Sequence, residues 1–102
     1  SDTNRPLAMT ELVRALHYDH TYYLNLMGAQ IPELQLDTAY LYFIDFTGAN
    51  LSSFVAVSTI LAGCYFSRVN LENAAVTNTS VCGLNLTQAN ITNANIELAY
   101  AQ

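Results

Sequence analysis

Hydrophobic residues recur in this chain at every fifth position. Between Leu26 and Ile96, fourteen of the fifteen residues at that spacing are Leu, Ile, Val or Phe, and the remaining one is Ala56. The residues two positions earlier are mostly small, as at Ala29 and Ala49. An α-helix repeats its apolar face about every 3.6 residues and a β-strand about every two, so neither explains this spacing. The pattern predicts short extended runs that each end in a turn.

A repeat this short predicts a solenoid, because a five-residue unit buries its apolar side only against neighbouring units. Four units that each turn the chain close a square of about 20 residues. We therefore predict an all-β fold, a parallel β-helix of about four coils over residues 24–102, with an unbroken register. The core stack is expected to consist of Leu26, Ile31, Leu36, Leu41, Phe46, Leu51, Leu61, Phe66, Leu71, Val76, Val81, Leu86, Ile91 and Ile96.

Three segments share the motif Ala-Asn-(Leu/Ile): Ala49-Asn50-Leu51-Ser52-Ser53, Ala89-Asn90-Ile91-Thr92-Asn93 and Ala94-Asn95-Ile96-Glu97-Leu98. This motif resembles the pentapeptide-repeat family. The resemblance implies a right-handed quadrilateral β-helix, and a bacterial, often cyanobacterial, or plastid source. It implies no single activity, because the family hosts unrelated roles. The compartment is left open, with the cytoplasm favoured over a lumen or periplasm.

Residues 1–23 lie outside the repeat and predict an N-terminal arm with a capping helix. Thr10 is a suitable N-cap, and Glu11 places negative charge in the first turn. Leu12 and Leu16 then lie on one apolar stripe. Because a solenoid needs a cover over its first coil, we expect this helix to lie on the first coil. A helix that binds a partner is the alternative.

Two features of the repeat predict how the coils stack. Phe54 stands at a normally small position beside the undersized Ala56, so its ring is expected to fill the missing volume. On one side of the coils, the residue just before the central apolar residue carries a side-chain amide in every coil. We expect these amides to stack as a vertical ladder, because Asn suits turns and forms hydrogen bonds to nearby backbone. Its members are Gln30, Asn50, Asn70 and Asn90.

Outward positions on the fourth side, and on the third side across the neighbouring corner, predict a large apolar and aromatic area. Such areas usually mark interfaces. We expect contact with a protein partner or with a second copy, as in a homodimer. The alternative is that the N-terminal arm covers the area. The residues of this hypothetical interface are Tyr40, Tyr42, Phe43, Val55, Val57, Ile60 and Tyr100.

The last coil suggests a second contact. No helix, Pro or charged segment follows the final repeats, so an open strand edge is expected there, together with the uncovered undersides of Leu84, Ile91 and Ile96. Either two molecules meet end to end, or a longer natural chain continues from this point. Family members that inhibit DNA gyrase are similar in dimerising at the C-terminal end, through a module that this sequence lacks.

Charge and composition limit the ligands. The net charge is −5, and the cations are Arg5, Arg14 and Arg68. We therefore expect no nucleic-acid partner. No apolar run approaches the roughly 18 residues of a membrane-spanning helix, and we predict no cofactor and no small-molecule substrate.

Catalytic and metal-binding signals are weak. His17, Asp19 and His20 lie close together, and a surface cluster at a helix end is favoured over a metal site. Cys64 is expected in the core, and Cys82 on the outside of another side, so no disulfide is implied.

Two functions follow from this reading. The first is a non-enzymatic scaffold that acts through protein–protein interaction or self-association. The second, suggested by the resemblance, is a DNA-mimicking inhibitor of a type II topoisomerase, DNA gyrase. Mimicry needs regularly spaced acids. Asp45 is the lone acid at the second position of the repeat, while Asp37 and Glu97 lie three coils apart, which disfavours this alternative.

Overall fold

A computed structural model describes residues 24–101, and their regular structure is β-strand alone. The capping helix predicted around Leu12 and Leu16 lies outside the described residues and stays a prediction, as does the boundary at residue 23. The eight strands are β1 (Leu24–Asn25), β2 (Gln35–Asp37), β3 (Tyr40–Tyr42), β4 (Ile44–Asp45), β5 (Val55–Val57), β6 (Ile60–Ala62), β7 (Ala75–Cys82) and β8 (Asn95–Ala101).

Every strand pairing is parallel, and it joins residues 20 apart except at one place described below. Leu36 pairs with Ala56 and Ala56 with Val76, while Leu41 pairs with Leu61. Isolated bridges continue this register between the strands, as from Asn50 to Asn70. The expected all-strand parallel solenoid of about four turns is thereby confirmed. Its coils are residues 24–43 (coil 1), 44–63 (coil 2), 64–83 (coil 3) and 84–101 (coil 4).

Each coil has four sides, and they are of two kinds. Side 1 begins at Leu24 in coil 1 and carries the short strands β1 and β4 in coils 1 and 2, whereas side 2 begins at Ala29 and has one bridge residue in each coil; on both sides a turn follows. Sides 3 and 4 begin at Leu34 and Ala39, and consist of strands that form one six-stranded sheet. β7 belongs to both strand sides because it runs from Ala75 to Cys82 across the corner between them.

Left-handed backbone makes the corners. From Gly28 to Asn93, all fourteen corner residues at the spacing of five have a φ between 50° and 70°. Ten of them are not glycine. Single residues in this conformation turn the chain sharply, and Asn, Asp and Gly adopt it most readily. Each corner residue stands two positions after the central apolar residue of its repeat and is often polar. The left-handed backbone of this residue therefore sets the shape of the coil.

The side-chain amides explain why sides 1 and 2 turn. The side-chain oxygen of Asn70 accepts the amide N–H of Glu72 at 3.0 Å, and Asn50 accepts that of Ser52 at 3.1 Å. Six bonds of this kind occur on sides 1 and 2, and they are absent from the described parts of sides 3 and 4. The ladder forms across coils 1 to 3, since Asn50 donates to Gln30 at 3.1 Å and Asn70 donates to Asn50 at 3.3 Å. The fourth predicted member, Asn90, bonds instead to Thr92 of its own coil.

The core is one continuous stack of apolar side chains inside the coils. Phe46 and Phe66 stack with ring centroids 5.3 Å apart. Phe54 and Ala56 are both fully buried. The hydroxyls of Thr59 and Thr79, which also point inward, each donate to a backbone carbonyl two residues earlier at 3.1 Å. Eleven of the fourteen predicted stack residues are buried, namely Leu26, Ile31, Leu36, Leu41, Phe46, Leu51, Leu61, Phe66, Leu71, Val76 and Val81.

Coil 4 departs from the expected stack. Ile91 is 49% exposed, and Leu86 and Ile96 are half-buried, because no further coil covers them within the described residues. The expectation of an unbroken register is wrong at Leu98. This residue pairs with Thr79 instead of Asn78, and has no left-handed φ. An apolar Leu is poorly suited to an exposed left-handed corner, so β8 continues straight and Leu98 packs against the core.

Candidate interaction surface

The outward residues of the strand sides form an apolar surface, and registered strand pairing positions them. Tyr40 on β3 pairs with Ile60 on β6, Ile60 with Ser80 on β7, and Ser80 with Tyr100 on β8. Residues paired in register on parallel strands point to the same face, so these four lie in one column. Polar Ser80 separates Tyr40 and Ile60, the apolar upper part of the column, from Tyr100. The side chain of Tyr100 is not among those that the structure describes.

Exposure is substantial around Tyr40 and Ile60, at the upper part of this column and next to it. Phe43 is 52% exposed, Tyr40 40% and Val57 38%. Tyr42, Val55 and Ile60 are half-buried, so they present an edge or one face. Six of the seven residues predicted for the interface thus lie on sides 3 and 4 of coils 1 and 2. We call these six the side surface: Tyr40, Tyr42, Phe43, Val55, Val57 and Ile60.

The corner next to side 1 holds Phe43 in place. Its ring lies against Gly63, the equivalent corner residue of coil 2, so that a Cβ added at Gly63 would be 2.7 Å from Phe43 Cδ1. A separation below 3 Å is not compatible with ordinary van der Waals contact. Gly63 therefore makes room for the ring, and Phe43 packs against the corner below it although half its surface meets solvent.

Two exposed hydrophobic residues on side 1 were not identified from the sequence. Tyr65 is 57% exposed and Met27 is 53% exposed. Tyr65 stands at the position where Asn25, Asp45 and Asn85 make their turn-capping bonds in the other coils. An aromatic residue in a column of Asn and Asp is the sequence signal that could have identified it.

Charge is sparse around the side surface. The acids within residues 24–101 are Glu33, Asp37, Asp45, Glu72 and Glu97, and the cation is Arg68. Asp37 lies in the same column as Val57 and therefore borders the side surface. Asp37 and Glu97 share that column, separated by Val57 and Thr77, so the described acids form no continuous array.

The two cysteines are unpaired and differ in burial. Cys64 is buried, and desolvation raises the pKa of its thiol to about 11. At neutral pH the thiol is therefore protonated and a poor nucleophile. Cys82 is exposed on side 4. Among residues 24–101 no three His, Cys, Asp or Glu side chains are grouped to hold a metal ion. The His17, Asp19 and His20 cluster lies outside that range.

The described residues contain no helix long and apolar enough to cross a membrane. Comparison with known proteins gives one match. Residues 64–100 match the family model of pentapeptide repeats, in 8 copies. No curated protein and no solved structure matches the chain. The matched segment covers coils 3 and 4, and the same 20-residue pairing continues upward through coils 2 and 1. Residues 64–100 are pentapeptide repeats, which confirms the resemblance drawn from the sequence.

Proposed function

We propose that this protein is a non-enzymatic scaffold that binds a partner protein through its side surface. The observation that carries the proposal is the exposed group formed by Tyr40 and Val57 on one sheet and Phe43 at the adjoining corner. Aromatic residues are enriched where proteins contact one another, since they bury a large area at little entropic cost. Strand pairing on sides 3 and 4 also fixes the spacing of the residues that these strands carry.

The partner's chemistry follows from the border of the side surface. Asp37 lies beside Val57, and the whole chain carries a net charge of −5 with three arginines and no lysine. A partner surface that combines apolar side chains with Lys or Arg would complement this area. A second copy of the same chain brings acids toward acids and is less suited to the side surface.

Site-specific photo-crosslinking tests the proposal. Ala62 lies on side 4 directly below Tyr42, and Ser52 lies on the polar side 2 with similar partial burial. A photoreactive residue at position 62 in expressing cells is expected to give covalent adducts with another protein. The same residue at position 52 is the matched control, and is expected to give at least tenfold fewer adducts.

The double substitution Tyr42→Ser and Ile60→Ser should remove the adducts from position 62, because it deletes apolar contact area without touching the fully buried core. Circular dichroism verifies that this variant keeps its β structure. Equal adduct yields at positions 52 and 62, or adducts at position 62 that contain only a second copy of this chain, would contradict the proposal.

A further inference from the structure

Tyr65 departs from the rule that governs its column on side 1. Asn25, Asp45 and Asn85 hold the same position in the other coils, and each side chain accepts the amide N–H two residues later at 2.9–3.0 Å. A tyrosine ring accepts no such bond, so the amide of Ser67 lacks the cap that the turns of coils 1, 2 and 4 have. Tyr65 nevertheless leaves 57% of its surface exposed. Residues that break a local structural rule without a structural gain are concentrated at functional sites.

Phe43 and Asp45 surround Tyr65 at the corner where side 4 meets side 1. The ring of Phe43 lies against Gly63, two residues before Tyr65, so it reaches the level of the segment that carries Tyr65. Asp45 bridges to Tyr65 in register from the coil above, which places the two Cα atoms about 5 Å apart and both side chains on the same face. Among residues 24–101, neither aromatic ring contacts another ring or a cation. We call Phe43, Asp45 and Tyr65 the corner group.

The corner group combines one carboxylate with two exposed aromatic rings. One oxygen of Asp45 accepts the amide of Thr47 at 3.0 Å, and the other oxygen has no hydrogen bond within residues 24–101. The face of an aromatic ring attracts a cation, and a carboxylate beside it adds direct charge attraction. A guanidinium group suits both, because it is planar, stacks on aromatic rings and donates N–H bonds to carboxylate oxygens. The chemistry of the corner group therefore favours an arginine side chain.

We propose that the corner group is the binding site for an arginine side chain of the partner protein. The site is continuous with the side surface through Phe43, which belongs to both, so a partner on sides 3 and 4 reaches it by crossing one corner. The inference rests on the proposed function, and it names the residue type by which the partner is recognised. The side surface then supplies apolar contact area, and the corner group supplies selectivity for a basic partner.

A nuclear magnetic resonance titration of the full chain with N-acetyl-arginine amide tests the site without the partner. The ring protons of Phe43 and Tyr65 and the amide of Thr47 should shift in a saturable manner. N-acetyl-citrulline amide is the matched control, because it has nearly the same shape and no charge, and its affinity should be at least fivefold lower. Equal affinities for the two probes, or no shifts with either, would overturn the inference.

Three substitutions separate binding from folding. Asp45→Asn keeps the turn cap, as Asn25 and Asn85 show, and should weaken binding of the arginine probe at least fivefold. Tyr65→Phe keeps the ring and should bind within twofold of the wild type. Tyr65→Asn installs the residue that caps this turn in coils 1 and 4, so it should bind at least fivefold more weakly and melt roughly 4 °C higher.

Two results with these variants would also overturn the inference. Unchanged affinity in Asp45→Asn and Tyr65→Asn would show that the probe binds elsewhere. A lower melting temperature of Tyr65→Asn would show that the tyrosine serves packing.

Photo-crosslinking separates this inference from the proposed function. Ser67 is the next outward residue after Tyr65 on side 1 and is half-buried. A photoreactive residue at position 67 should capture the same protein as at position 62, and Asp45→Asn should reduce the yield at position 67 at least fivefold. Adducts at position 62 with none at position 67 would overturn the arginine site and leave the scaffold function standing. No adducts at either position would overturn the scaffold function, while the titration still decides whether the corner group binds the cation.

Discussion

Coils 1 and 4 have the same column pattern and different burial. Ile31 is 5% exposed, whereas Ile91, three coils below it in the same column, is 49% exposed. Leu26 is buried, whereas Leu86 at the foot of its column is half-buried. The repeat therefore decides which residues point inward, and the number of covered faces decides how much each inward residue stabilises the fold. A cap on coil 1, as predicted for Leu12 and Leu16, would give it a second covered face.

The largest expected effect comes from truncating the same residue type at the two ends. Ile31→Ala removes a buried side chain and leaves a cavity, so it should lower the free energy of unfolding by about 3 kcal/mol. Ile91→Ala removes a side chain already half in water and should cost about 1 kcal/mol or less. Urea denaturation at one fixed, low protein concentration measures both. Equal losses of unfolding free energy in the two variants would mean that the two ends of the solenoid differ less in burial than the exposed fractions of Ile31 and Ile91 indicate.

A smaller difference in stability is expected between substitutions at Gly63 and Gly83, the corner residues that lie below Phe43 in coils 2 and 3. Gly63 and Gly83 have φ values of 66° and 67°, and a Cβ at Gly83 meets nothing within 4 Å. Gly83→Ala should cost about 1 kcal/mol from the left-handed backbone alone. Gly63→Ala should cost about 2 kcal/mol, because the ring of Phe43 must also move. In a Phe43→Ala background the two substitutions should become equal, and a persisting difference would refute the contact.

The smallest difference concerns the amide ladder. Asn70 caps the Glu72 amide and donates to Asn50, while Asn90 bonds to Thr92 within its own coil. Asn70→Ala should therefore cost about 1–2 kcal/mol and Asn90→Ala about 1 kcal/mol. Thermal denaturation of the two variants ranks them. A greater loss at position 90 would show that capping, and not stacking of the amides between coils, dominates.

The sequence predicts much of this fold because each inward position repeats at a spacing that only a coil explains. Ile91 points inward as the period predicts, and its exposure agrees with the open edge expected at the last coil, because periodicity reports direction and not the presence of a neighbour. The register shift at Leu98 was not predicted, because a hydrophobic residue at a corner keeps the spacing of five in the sequence while its backbone avoids the left-handed conformation. The side surface was predictable on sides 3 and 4 from outward aromatic residues. Tyr65 was not identified, because the other members of its column are Asn and Asp.

The left-handed corners have a consequence for how the protein forms. Each non-glycine corner costs about 1–2 kcal/mol of backbone energy, and three of the four corners of coil 3, at Arg68, Asn73 and Asn78, are of this type. A lone coil has no neighbour to repay that cost, so it is an unfavourable nucleus. A formed coil offers its strand edge as a template, and the next coil then gains hydrogen bonds and burial together. Folding should therefore be slow to start and quick to propagate, with growth always at an exposed end.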